Sequence, residues 1–121
     1  TVTPCRVLDT RNANGPFGGP ALAPSETRSI PVSASGCGIP SNATSIAANM
    51  TVVSPTAAGY LTLFAGDGAM PATSSLNFTP GATRANNAVT PFASHGSGTV
   101  RVFNGSTGTS HVILDVSGYF Q

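Results

Sequence analysis

Few side chains in this chain could do chemistry, and they fall at a handful of places. Cys5-Arg6-Val7-Leu8-Asp9-Thr10-Arg11 holds three of the nine charged residues and one of the two cysteines within seven positions. Asp9 and Arg11 offer the planar, two-pronged hydrogen bonding that a sugar diol or a facing ion demands. Tyr60 and Phe64 share one face of a strand-like segment with Thr62 between them, and that spacing sets them roughly 13 Å apart. An exposed ring can stack on the C–H face of a pyranose. Tyr60, beside the Ala58-Gly59 turn, is the better placed of the two, while Phe64 reads as packing. Asn77, between Leu76 and Phe78, points away from the face that those two cover, and His95 sits with Phe17 among glycine-rich loops. Tyr60, Asp9, Arg11, Asn77 and His95 form the candidate ligand-binding set.

Catalysis is poorly provided for. The carboxylates are Asp9, Glu26, Asp67 and Asp115, and the histidines His95 and His111. A glycosidase needs two facing carboxylates about 5 to 10 Å apart, and Asp9 and Asp115 become neighbours only if the first and last strands pair. No Gly-x-Ser-x-Gly elbow marks a nucleophile. The chain therefore reads as a non-enzyme. A structural calcium needs six to eight oxygens, and with no Asp-x-Asp cluster it draws little support, so no metal or cofactor is expected. The Asp9-Thr10-Arg11 turn also has a purely structural reading. There Arg6 and Asp9 face opposite sides of a strand, Asp9 takes loop amides, and Arg11 forks onto carbonyls or Asp115. Buried polar groups are usually satisfied within their own chain, which favours this reading.

Composition narrows the partners. There is no lysine and no tryptophan, and the formal charge is +1. Nothing here offers nucleic acid or anionic lipid an electrostatic footprint. No apolar run reaches the ~20 residues that span a bilayer, and any export signal is expected to lie outside this sequence. Cys5 and Cys37 lack Cys-x-x-Cys spacing or a nearby His pair, so a structural disulfide fits them better than zinc or redox work. It would close a loop of about thirty residues and contribute ~3 kcal/mol; the alternative is two buried free thiols. A persistent disulfide implies an oxidising compartment, hence a secreted or cell-surface protein.

These residues must be positioned by strands, since no stretch keeps a helical apolar period free of Gly, Pro or β-branched runs. Strands are predicted over Arg6–Asp9, Glu26–Val32, Ser45–Val53, Tyr60–Ala65, Ser75–Thr79, Asn87–Ala93, Gly98–Asn104 and Ser110–Val116. Pro31 cannot donate to a ladder, which makes the second an edge strand. The turn 54–59 suggests a hairpin between the third and fourth strands, and Asn104-Gly105 a second one between the last two. The expected fold is all-β: one domain, residues 1–121, as a two-sheet β-sandwich of seven to eight short antiparallel strands with one disulfide.

Four segments in order carry a resemblance: Pro4-Cys5-Arg6-Val7-Leu8-Asp9-Thr10-Arg11, then Ala48-Asn49-Met50-Thr51-Val52-Val53-Ser54-Pro55-Thr56-Ala57-Ala58-Gly59-Tyr60-Leu61-Thr62, then Ser75-Leu76-Asn77-Phe78, then Asp115-Val116-Ser117-Gly118-Tyr119-Phe120. Together they resemble an accessory β-domain of secreted multidomain proteins from actinobacteria and other soil bacteria. There it is appended to glycoside hydrolases, cell-wall amidases, peptidases and surface proteins. The resemblance implies a non-catalytic module that holds a linked catalytic domain against an insoluble polysaccharide, a glucan or a cell-wall glycan. The alternative is a structural spacer, adhesion or protein-interaction domain with no sugar site. Convergence of Tyr60, His95 and the Asp9–Arg11 turn on one exposed groove would distinguish the two.

Overall fold

A computed structural model of the chain describes residues 3–71, 74–93 and 97–121, which leaves His95 outside the described residues. Eight strands follow in order: β1 (Cys5–Asp9), β2 (Thr27–Ile30), β3 (Ser45–Val53), β4 (Gly59–Ala65), β5 (Leu76–Phe78), β6 (Arg84–Pro91), β7 (Val100–Asn104) and β8 (His111–Phe120). Among the described residues the only helical turn is a 3₁₀ turn at Val32–Ala34. Strand β2 stops at Ile30 because Pro31, next in the chain, has no N–H to extend the ladder.

The strands form two four-stranded antiparallel sheets, ordered β1-β8-β3-β6 and β2-β7-β4-β5. This interleaving is the jelly-roll arrangement of a β-sandwich. It corrects both expected hairpins. Strands β3 and β4 lie in different sheets, as do β7 and β8, so their short turns cross from sheet to sheet. Among the described residues, β4 and β5 are the only strands consecutive in the chain that pair. The edge position of β2 does hold.

Alternation places the core between the sheets. Ile46, Ala48, Met50 and Val52 of β3 are at most 3 % exposed, with Val112, Leu114 and Val116 of β8 beside them. The facing sheet contributes Ile30, Leu61, Leu63, Val100 and Val102. Each such aliphatic side chain contributes roughly 1.5–3 kcal/mol on burial. Strand β1 breaks the alternation, since Val7 and Leu8 are both buried. A bulge between Arg6 and Leu8 supplies the extra residue.

The connections β1–β2, β3–β4, β5–β6 and β7–β8 gather at one end of the sandwich and are bonded to one another. Thr56 N donates to Thr109 O at 3.0 Å, and Thr109 N donates to Thr56 Oγ1 at 2.8 Å. Gly81 N donates to Pro55 O at 2.8 Å. Near the opposite end, the Cys5–Cys37 disulfide ties the start of β1 to the β2–β3 connection.

Candidate functional site

The Asp9-Thr10-Arg11 turn ends β1, and its geometry is inward-looking. Asp9 is 5 % exposed. Its Oδ1 accepts from Arg11 N at 3.1 Å and Arg11 Nε at 2.9 Å, and its Oδ2 accepts from Arg11 Nη2 at 2.8 Å. Two expectations are corrected here. Arg11 forks onto Asp9 itself, two residues away, rather than onto carbonyls or Asp115. Asp115 is instead taken by Arg6, whose Nε donates to Oδ1 at 2.9 Å across the β1–β8 ladder. The bulge also cancels the expected opposition of Arg6 and Asp9: Arg6 Nη1 lies 3.6 Å from Asp9 Oδ2. The four side chains form a chain of alternating charge, Arg11–Asp9–Arg6–Asp115.

The Arg11 fork holds the Asp9 carboxyl down at about 2, from an ordinary 3.8, against the upward push of burial; the Arg11 amide and the charges of Arg11 and Arg6 add to it. The depressed value means that Asp9 adds stability above the ordinary carboxylate range and loses it as pH falls through about 2. The thermal midpoint of the wild type should exceed that of Asp9→Asn by a constant margin above about pH 4. That margin should shrink from there towards pH 2 in melts across the acid range. Comparison with the variant separates Asp9 from Glu26, which is also lowered: burial pushes Glu26 up, but Arg28 and the Ala23 amide outweigh it.

Thr10 is buried and anchors the same turn to β8. Its Oγ1 accepts from Val112 N at 2.8 Å and lies 2.9 Å from His111 Nδ1. The Asp9 carboxylate, the Thr10 hydroxyl and the Arg11 guanidinium are all bonded within the chain, so the turn is stapled from inside.

Tyr60 and Asn77 lie elsewhere. They face each other across the β4–β5 ladder, on the outer face of the β2-β7-β4-β5 sheet. Asn77 is exposed while its neighbours Leu76 and Phe78 are buried, and its Oδ1 accepts from Ser74 Oγ at 2.9 Å. Tyr60 is 37 % exposed, with its ring 6.0 Å from that of Phe103. The back of the Tyr60 ring rests on Gly105, where any Cβ would collide with it. Phe64, on the same strand face, is buried at 7 % exposure. Between them Thr62 is 1 % exposed, and its Oγ1 has no hydrogen-bond partner among the described residues. The outer face thus presents one part-exposed ring, one amide beside it, and Phe103 next to the ring. Arg101, opposite Phe64, adds a cation with no ion pair among the described residues.

The structure therefore brings Tyr60 and Asn77 together and sets Asp9 and Arg11 on the other sheet. Among the described residues, no three His, Cys, Asp or Glu side chains group as a metal site, and no helix is long and apolar enough to cross a membrane. Sequence reasoning missed Asn104, the most engaged polar side chain of the loop end. Fully buried, its Nδ2 donates to Ala23 O and Gly108 O at 3.0 Å and to Leu22 O at 3.3 Å. Its Oδ1 accepts from Ser106 Oγ at 2.9 Å. The available signal was an amide closing an apolar strand immediately before Gly105-Ser106, where a turn must be held.

No family model and no curated protein matches the chain. Among solved structures, the coat protein of Tobacco streak virus is similar at 12 % identity and a TM-score of 0.47, covering 96 % of this chain and 85 % of that one.

Proposed function

We propose that this is a non-catalytic carbohydrate-binding module of a secreted or surface protein, holding a linked catalytic domain against an insoluble glucan or cell-wall glycan. The observation that carries this reading is the Tyr60–Asn77 pair. A part-exposed aromatic ring and an amide directly across the ladder supply the apolar stack and the polar contact that a pyranose needs. The disulfide supports an oxidising compartment. The resemblance described above supports an accessory role beside an enzyme. Attachment works by raising effective substrate concentration, with no chemistry of its own. A non-catalytic role also agrees with Asp9 and Glu26, whose arginine partners hold their carboxyls low. A glycosidase acid needs the opposite, a raised carboxyl.

Depletion by insoluble α- and β-glucans, chitin, xylan and peptidoglycan tests the proposal. One of these should retain the folded, oxidised protein. Tyr60→Ala should then weaken retention roughly tenfold, as expected for loss of a central aromatic contact. Its melting temperature should change little, since the ring is already part-exposed. The spacer reading has one observation in its favour: Asp9 and Arg11 satisfy each other and do not join Tyr60 in a common groove. Absence of retention by any of the five materials would select it.

A further inference from the structure

The outer face of the β1-β8-β3-β6 sheet carries a row of polar side chains, two of which the fold itself does not use. Arg6, Asp115, Asn49 and Asn87 stand in register, one on each strand: Arg6 opposite Asp115, Asp115 opposite Asn49, Asn49 opposite Asn87. Asparagine is depleted in strands and needs a reason to be there. Three other strand asparagines have one: Asn104 holds three loop carbonyls, Asn86 donates to Ser75 O at 2.9 Å, and Asn77 accepts from Ser74. Asn49 and Asn87 have none; among the described residues neither side chain makes a hydrogen bond.

Beside this row the sheet is hollowed. A shallow depression of about 360 Å³ is lined by Ala47, Ala48, Asn87, Ala88, Val89 and Ser117. It adjoins the bulge that shifts the β3–β8 register between Ala47 and Ala48. Five of the six lining side chains are small or short aliphatic ones, so a flat ligand can reach the sheet surface. Val89, at 66 % exposure, forms an apolar rim, and Phe120, at 51 %, stands exposed at the end of β8.

We infer that this face is a second glycan-binding surface, which takes a neutral glycan lying across the strands along the Asp115–Asn49–Asn87 row. Strand spacing sets these side chains roughly 4.8 Å apart, comparable to the rise of one sugar residue in an extended chain, so successive sugars meet successive side chains. Amides and a carboxylate match hydroxyl and acetamido groups, which both donate and accept. The glycan is neutral because the row's only charges, Arg6 and Asp115, already cancel at 2.9 Å. The inference shares the carbohydrate reading above but uses none of its residues, and it makes the domain two-sided.

The test is titration of the ¹⁵N-labelled domain with three neutral hexaoses: β-1,4-linked glucose, α-1,4-linked glucose and β-1,4-linked N-acetylglucosamine. With one of them, the side-chain NH₂ signals of Asn49 and Asn87 should shift saturably, and should still do so in Tyr60→Ala. The double variant Asn49→Ala/Asn87→Ala should lose about tenfold or more of that affinity. Both positions face outward, so the variant's dispersed backbone spectrum reports that it remains folded. Shifts confined to Tyr60, Asn77 and their neighbours would overturn this inference and leave the first site standing. Shifts confined to Asn49 and Asn87 would sustain it and displace Tyr60 as the binding residue. An unchanged spectrum with all three sugars would overturn it too, and retention on xylan or peptidoglycan would then decide the first site separately.

Discussion

Asn104→Asp should be the most damaging single substitution among the polar residues, lowering unfolding free energy by about 3 kcal/mol or more. The change conserves shape and removes only the NH₂ donor. It sets a carboxylate oxygen against the carbonyls of Ala23 and Gly108 at 3.0 Å in a fully buried position. Asn104→Ala should cost less, about 2–3 kcal/mol. The three carbonyls each keep another donor: Ser110 N for Leu22, Glu26 N for Ala23, and Ser106 Oγ for Gly108. The alanine variant thus loses bonds without orphaning acceptors. Urea unfolding of the two variants separates the contributions. Equal losses would show that space filling rather than donation is what Asn104 supplies.

Removing the disulfide, by Cys5→Ser with Cys37→Ser or by reduction, should cost about 3–4 kcal/mol. At this chain length that is a fall of roughly 10–20 °C in melting temperature. The effect should be concentrated on β1, which is an edge strand paired only with β8. Without the cross-link its first residues are held by the ladder at Cys5–Val116 and by the partly exposed Arg6–Asp115 pair, a weak tether. Amide exchange should therefore lose protection at residues 5–9 before the β3 amides, whereas the oxidised protein should protect both. Uniform loss across the sandwich would instead assign the disulfide to global stability alone.

Strand positions were legible where one face is buried. Ser45–Val53 alternates without interruption, and β3 occupies those residues. The two-sheet fold and its disulfide followed from strand number and from cysteine spacing. Pairing was not legible. The turns after Val53 and after Asn104 carry the same Gly, Pro and Ser signals as hairpin turns, because a chain that crosses between sheets also reverses direction. Composition reports the reversal and not the destination. The start of β6 was missed for a related reason. Arg84, Ala85 and Asn86 are exposed at a sheet edge and show no apolar alternation, so only the ladder to β3 makes them strand.

The candidate site shows the same limit. That Asn77 points away from the core is local geometry, readable from Leu76 and Phe78. That it stands opposite Tyr60 depends on register across β4–β5, which no residue announces. Arg11 and Asp9 looked available because their types suit ligands, yet a two-residue spacing lets them consume each other. The bulge at Arg6–Leu8 adds a second cation to Asp9, and nothing in Cys5-Arg6-Val7-Leu8 marks it.

The β1–β8 ladder also dictates an order of events in the life of the chain. Arg6 and Asp115 meet across 109 residues, and β8 is the only neighbour of β1 in its sheet. Of the eight strands, the first to be made must wait for the eighth. The sheet built on β8 cannot close until β8 has been made, and that closure belongs to the slow class set by distant contacts. Once the chain is in an oxidising compartment, the bond to Cys37 can hold Cys5 beside the folding sandwich. The same covalent tie that steadies an edge in the finished molecule would then keep an unpaired strand from finding partners on other chains.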